Sequence, residues 1–119
     1  MWNKIYYRYG CHVSPLCDVD PTVYFPHPVG IVIGAGSKVG PGCVIYQNTT
    51  LGRAKANCPE YPTLGKGCIV YAGSSVLGDS ELGAESIVGA HSMVIGLKCP
   101  SDSVLVGVPA KLVKRKKRK

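Results

Sequence analysis

The sequence predicts an all-β protein, a parallel β-helix wound from six-residue steps, and three regularities predict it. Ile33, Val39, Ile45 and Leu51, then Leu64, Val70, Val76, Leu82, Val88 and Val94, recur at a step of six. All ten are Ile, Leu or Val, residue types that together form only about a quarter of the chain. Two residues before each lies a second, mostly small column: Ile31, Ser37, Cys43, Thr49, Pro62, Cys68, Ser74, Ser80, Ser86 and Ser92. Glycine follows the anchor at Gly34, Gly40, Gly52, Gly65, Gly83 and Gly89.

A step of six suits neither a helix nor an array of hairpins. In a strand, residues i and i−2 face the same side, so anchor and small residue both point inward. Glycine beside the anchor, and polar residues beyond it, let the chain bend after each short strand. Three such strands close one triangular coil of about 18 residues, and stacked coils share main-chain hydrogen bonds about 4.8 Å apart. The result is a one-dimensional solenoid. An ordinary β-sandwich would show alternation with turns at irregular spacing, which this chain lacks.

From its start, the chain reads as a short lead-in over residues 1–12. A β-helix follows over 13–99, four to five coils tall. Its first segment keeps the period loosely, with Val13, Val19, Phe25 and Ile31 in the phase of the small column. Pro15, Pro21 and His27 then occupy the anchor phase. The step from Leu51 to Leu64 breaks the count, and residues 53–62 are polar and contain proline, so they read as a projecting loop. Loops that leave a rigid scaffold are where function concentrates. Residues 100–113 form a C-terminal extension and 114–119 a basic tail.

Composition narrows the function classes. The chain has 119 residues with 14 Lys and Arg against 7 Asp and Glu, a net charge of +7. Six of those cations are Lys114 to Lys119, and without them 8 basic residues face 7 acidic ones. The body is near neutral, so a nucleic-acid partner is not expected. No apolar run suits a membrane span or a signal peptide, so the expectation is a cytoplasmic protein without membrane insertion. Six cysteines lack any C-x-x-C pair and read as reduced, structural thiols.

Among chemistry-bearing residues, His27 stands out, flanked by Pro26 and Pro28 in a column otherwise aliphatic. Imidazole titrates near neutrality and can take the proton of an attacking hydroxyl; a ring capping the solenoid surface is the structural alternative. His12 and His91 lack the short spacings of a metal site, so no metal is expected, and His91 reads as an outward side chain. Asp18 and Asp20 precede His27 and are candidate carboxylate partners for it.

These residues resemble the hexapeptide-repeat acyltransferases, whose fold is a left-handed parallel β-helix. The segment Phe25-Pro26-His27-Pro28-Val29-Gly30-Ile31-Val32-Ile33-Gly34 is similar to the serine acetyltransferase branch around its catalytic histidine. The likeness continues through Gln47-Asn48-Thr49-Thr50-Leu51-Gly52, Tyr61-Pro62-Thr63-Leu64-Gly65 and Val106-Gly107-Val108-Pro109-Ala110-Lys111. Three departures stand beside it. The large helical N-terminal domain of typical members has no counterpart, Pro26 replaces an Asp, and Tyr61 replaces a loop His.

The resemblance implies acetyl transfer from acetyl-CoA to an acceptor hydroxyl, with His27 as general base and a main-chain amide facing the oxyanion. It implies acceptor contacts at Tyr61 and Glu60. It places the CoA arm along Ala72, Gly73, Ala90 and Ile95, with Lys111 near the nucleotide. It also implies a homotrimer with sites between subunits. Serine and a sugar hydroxyl are the competing acceptors, and a non-catalytic scaffold or binding surface is the reading outside enzymology.

Overall fold

The computed structural model describes residues 10–115. They form a left-handed triangular prism of five coils, each face a five-stranded sheet. Face A stacks β1 (His12–Val13), β3 (Val32–Ile33), β6 (Thr50–Gly52), β9 (Ser75–Leu77) and β12 (Met93–Ile95). Face B stacks β2 (Asp18–Val19), β4 (Lys38–Val39), β7 (Thr63–Leu64), β10 (Glu81–Leu82) and β13 (Lys98–Cys99). Face C holds β5 (Val44–Ile45), β8 (Ile69–Val70), β11 (Ile87–Val88) and β14 (Ser103–Gly107), joined in coil 1 by a bridge from Tyr24 to Val44. The last strand, β15 (Ala110–Arg115), turns back antiparallel on β14. No helix among the described residues is long and apolar enough to cross a membrane.

Both inward columns are buried. All ten anchors lie in the core, from Ile33 to Val94. The small column is buried with them, and its hydroxyls and thiols, apart from the unpartnered Thr49 hydroxyl, hydrogen-bond to the main chain around them. The Ser74 hydroxyl donates to the Gly89 carbonyl at 2.7 Å and accepts from the Ser92 amide at 3.3 Å. Ser80 donates to Leu77 O at 2.8 Å and accepts from Leu97 N at 3.2 Å. Cys43 and Cys68 take the same role, their thiols donating to the carbonyls of Gly65 and Gly83 at 3.1 and 3.2 Å. The column is small because it lies against corner backbone, and polar because buried backbone groups there need partners. Its neighbour Cys43, by hydrogen bonding, and then burial push the Cys68 thiol well up, so it stays protonated and is no nucleophile.

The register corrects the reading of the first coil. Val13 pairs with Ile33 and Val19 with Val39, so both are anchors, with Cys11 and Cys17 in the small column. The bridge at Tyr24 likewise sets Phe25 opposite Ile45. From His12 to Val32 the coil takes twenty residues, whereas from Val32 to Thr50 it takes eighteen. The two extra residues lie between Phe25 and Ile31. His27 therefore sits in an enlarged corner and not in the anchor column, where an imidazole would have entered the core. Pro15 and Pro21 are exposed corner residues for the same reason.

One further boundary differs, at the C-terminal end, while residues 53–62 lie between β6 and β7. Lys38 pairs with Thr63, twenty-five residues on, so the loop between β6 and β7 adds seven residues to one corner. The fifth coil runs on through β14, so residues 103–107 belong to the prism, and Lys114 and Arg115 lie within β15. Residues 1–9 and the tail beyond Arg115 lie outside the described residues.

Close stacking makes some glycines obligatory. A Cβ on Gly65 would meet the Ala84 amide nitrogen and the Leu82 carbonyl, both at 2.9 Å, and that backbone is fixed by the rungs. A Cβ on Gly52 would meet only a Leu77 methyl at 4.0 Å. Gly65→Ala is expected to cost about 1–3 kcal/mol, as overpacking does, and Gly52→Ala to stay within about 0.5 kcal/mol. Urea unfolding of both variants checks the contrast; equal losses would refute the stacking argument.

Candidate functional site

Each coil turns from face C to face A through one corner, and these corners line up along one edge of the prism. The first is Pro26-His27-Pro28-Val29-Gly30. Inside it the Val29 amide donates to the His27 carbonyl at 2.7 Å, closing a tight turn. From the next coil the Asn48 amide donates to the Val29 carbonyl at 2.9 Å. Asn48 adopts a left-handed conformation, φ 58°, and its side chain lies over Gly30, itself at φ 63°. The enlarged corner is thus braced on its C-terminal side, and His27 projects from it, exposed.

The corners below continue the edge with Tyr46-Gln47-Asn48, Tyr71-Ala72-Gly73 and Gly89-Ala90-His91. Main-chain bonds hold them in line: Gly73 N to Gln47 O at 3.1 Å and His91 N to Ala72 O at 2.9 Å. The Tyr46 and Tyr71 rings stack at 5.1 Å and 17°. Past them, Gly89 and the alanines leave a shallow floor. The Gln47 Oε1 is buried without a hydrogen-bond partner. Of the residues singled out in the sequence, the structure brings His27, Ala72, Gly73 and Ala90 to this one edge.

Most of the others lie elsewhere. The loop between β6 and β7 rises from the corner where face A turns into face B. Its Tyr61 ring lies flat across Gly34 and Gly36, where any Cβ would strike it, and Arg53 stacks over that ring at 5.7 Å. Glu60 is exposed beside it. Ile95 ends β12 on the same side of face A and is half exposed, and Lys111 pairs with Val106 in the terminal hairpin. Within one protomer Tyr61, Glu60 and Ile95 therefore lie across face A from His27, whereas Lys111, beside the end of β14, lies at the far end of the His27 edge itself.

Neither aspartate stands near the His27 corner. Asp18 is exposed on face B. Asp20 sits where face B turns into face C, and its Oδ1 accepts from the Thr22 hydroxyl at 2.6 Å and amide at 2.9 Å, which hold its carboxyl below the usual range. Among the described residues, no three His, Cys, Asp or Glu side chains converge as metal ligands. Sequence reasoning took His91 as an outward side chain and Asn48 as part of a motif, without seeing that each closes a left-handed corner. The available signal was a non-glycine residue just before the small column, at a position the structure shows to be left-handed.

No family model matches the chain. A serine acetyltransferase of Synechococcus elongatus is 36% identical over 107 residues, covering 89% of this chain and 43% of the relative. One of Staphylococcus xylosus is 32% identical over 111 residues, covering 92% and 51%. Among solved structures, a serine acetyltransferase in complex with cysteine superposes with TM-score 0.85 at 29% identity, over 97% of this chain and 45% of that one. Another in complex with CoA gives TM-score 0.78 at 31% identity, over 85% and 41%. The chain spans about half the length of the curated relatives it matches. In repeat, corner motifs and fold alike, the chain is similar to the serine acetyltransferases over most of its own length.

Proposed function

We propose that the chain is the β-helical part of an acetyl-CoA-dependent O-acetyltransferase with His27 as general base. The observation that carries this is the alignment of His27 with the small-residue floor of Ala72, Gly73 and Ala90 along one edge. A long, thin donor can lie there with its thioester end at the imidazole. Serine acetyltransferases are the relatives named above, and one of the similar structures holds CoA.

In the reaction, the acceptor hydroxyl is a poor nucleophile until its proton begins to leave. The His27 imidazole accepts that proton as the oxygen bonds to the thioester carbon. The carbonyl oxygen gains the charge, which a main-chain amide of the corner stabilises. The carbon–sulfur bond then breaks, CoA leaves as thiolate, and the proton held on His27 passes to the sulfur. Tyr61 and Glu60 contact the acceptor, Ile95 flanks the CoA arm, and Lys111 approaches the CoA nucleotide.

Because Tyr61, Glu60 and Ile95 lie across face A from His27, the full site takes them from neighbouring copies in a homotrimer. The exterior of face C supports this, with Tyr24, Val44, Ile69, Ile87 and Val104 in one apolar column. Face B instead presents Asp18, Lys38, Thr63, Glu81 and Lys98, a surface suited to water. A sugar hydroxyl is the second acceptor reading, favoured by Pro26 and Tyr61 standing where an Asp and a His are expected for serine.

His27→Ala is expected to lower turnover by at least about 100-fold while leaving CoA affinity within about twofold. Thiol release from acetyl-CoA, measured with serine and with sugars, checks both the base and the acceptor; full turnover in the variant would sink the mechanism. Deleting Lys116 to Lys119, the part of the basic tail beyond β15, is expected to raise the Michaelis constant for acetyl-CoA at low salt. That difference should vanish near molar salt, where screening acts within about 3 Å. An unchanged constant at low salt would leave the tail as solvated charge.

A further inference from the structure

We infer that His91 is a donor-binding residue that contacts the diphosphate of CoA, an inference resting on the donor reading above. His91 closes the corner of the fourth coil, exposed, in a left-handed conformation at φ 57° that a side-chain-bearing residue adopts only at a cost. Its ring is laid back over Gly73, where any Cβ would strike it, so the imidazole lies along the edge against the preceding corner.

Distance along the edge agrees with the assignment. His27 and His91 lie in the first and fourth corners, three rungs apart, or about 14 Å at the spacing of parallel strands. From thioester carbon to first phosphorus the CoA arm spans about fourteen bonds, the length of four to five backbone residues, roughly 16 Å fully extended. A slightly bent arm with its thioester at His27 therefore brings the diphosphate to His91.

Charge agrees as well. Among the described corner residues, those between faces B and C include Asp20, Glu85 and Asp102, and those between faces A and B include Glu60 and Asp79. The edge carrying His27 and His91 has no carboxylate in any described corner. An anion laid along it meets no described corner carboxylate, and the His91 imidazole gives it an N–H donor.

The test is calorimetric titration of His91→Gly and His91→Asn with CoA and with pantetheine, which lacks the diphosphate. Both replacements tolerate the left-handed backbone, so melting temperatures at or above wild type are expected. CoA affinity should fall about 5- to 10-fold in both variants, with pantetheine affinity unchanged. Unchanged CoA affinity, or an equal loss for both ligands, overturns the assignment while the donor reading survives. Failure of the unaltered protein to bind CoA overturns both.

Discussion

Every feature of this molecule depends on the rung, the main-chain hydrogen bonds that lock each coil onto the next. They run unbroken at 2.7–3.1 Å down face A, from His12 N to Ile31 O through Ser75 N to Ser92 O. Because the spacing is fixed, each side chain is stacked on the residue one coil away, and columns rather than pairs are the units of packing. The anchors tile the interior as one such column per face. The hydroxyl and thiol column meets the corner backbone that the rungs leave incomplete.

The same stacking governs the corners. Three of the four left-handed corner residues that carry a side chain lie over a glycine of the coil before, Gly30 under Asn48, Gly67 under Glu85 and Gly73 under His91, whereas Asp102 lies over Glu85. The glycine is needed twice, for its own positive φ and for the space taken by the ring, carboxylate or amide above it. Such a corner side chain thereby lies against the backbone of its neighbour. That is how a solenoid without a deep cavity can present polar groups along an edge.

The anchors and the small column were legible because inward residues obey a strict period, and burial selects their chemistry at every step. The first coil was misread because its own phase is sound but offset by two residues, so Val13 and Val19 fell two places from their true column. His27 was found by its flanking prolines and its motif, for a reason that the register then corrected. The left-handed corners at Asn48 and His91 were not found. Corner residues face outward, where burial imposes no pattern, and their meaning comes from the residue stacked beside them in the third dimension. Likewise, nothing along the chain shows that Tyr61 covers Gly34 and Gly36, since that contact joins a loop to a corner of the preceding coil.

The places where the count of residues departs from eighteen show how such a scaffold accommodates function. A rung cannot lengthen without breaking the hydrogen bonds on both sides of it, so extra residues can enter only at corners. The two expanded corners are the His27 turn, with two additional residues, and the loop ending in Tyr61, with seven. They lie on the two sides of face A, one coil apart, and each is fastened to an adjacent coil, by Asn48 in one case and by the Gly34 and Gly36 contacts in the other. Face A between them keeps its regular stack from β1 to β12. The candidate base and the loop residues Glu60 and Tyr61 thus sit in the turns that the repeat leaves free to vary, while the rungs hold those turns in place and, among the residues proposed for the site, carry only Ile95 and Lys111.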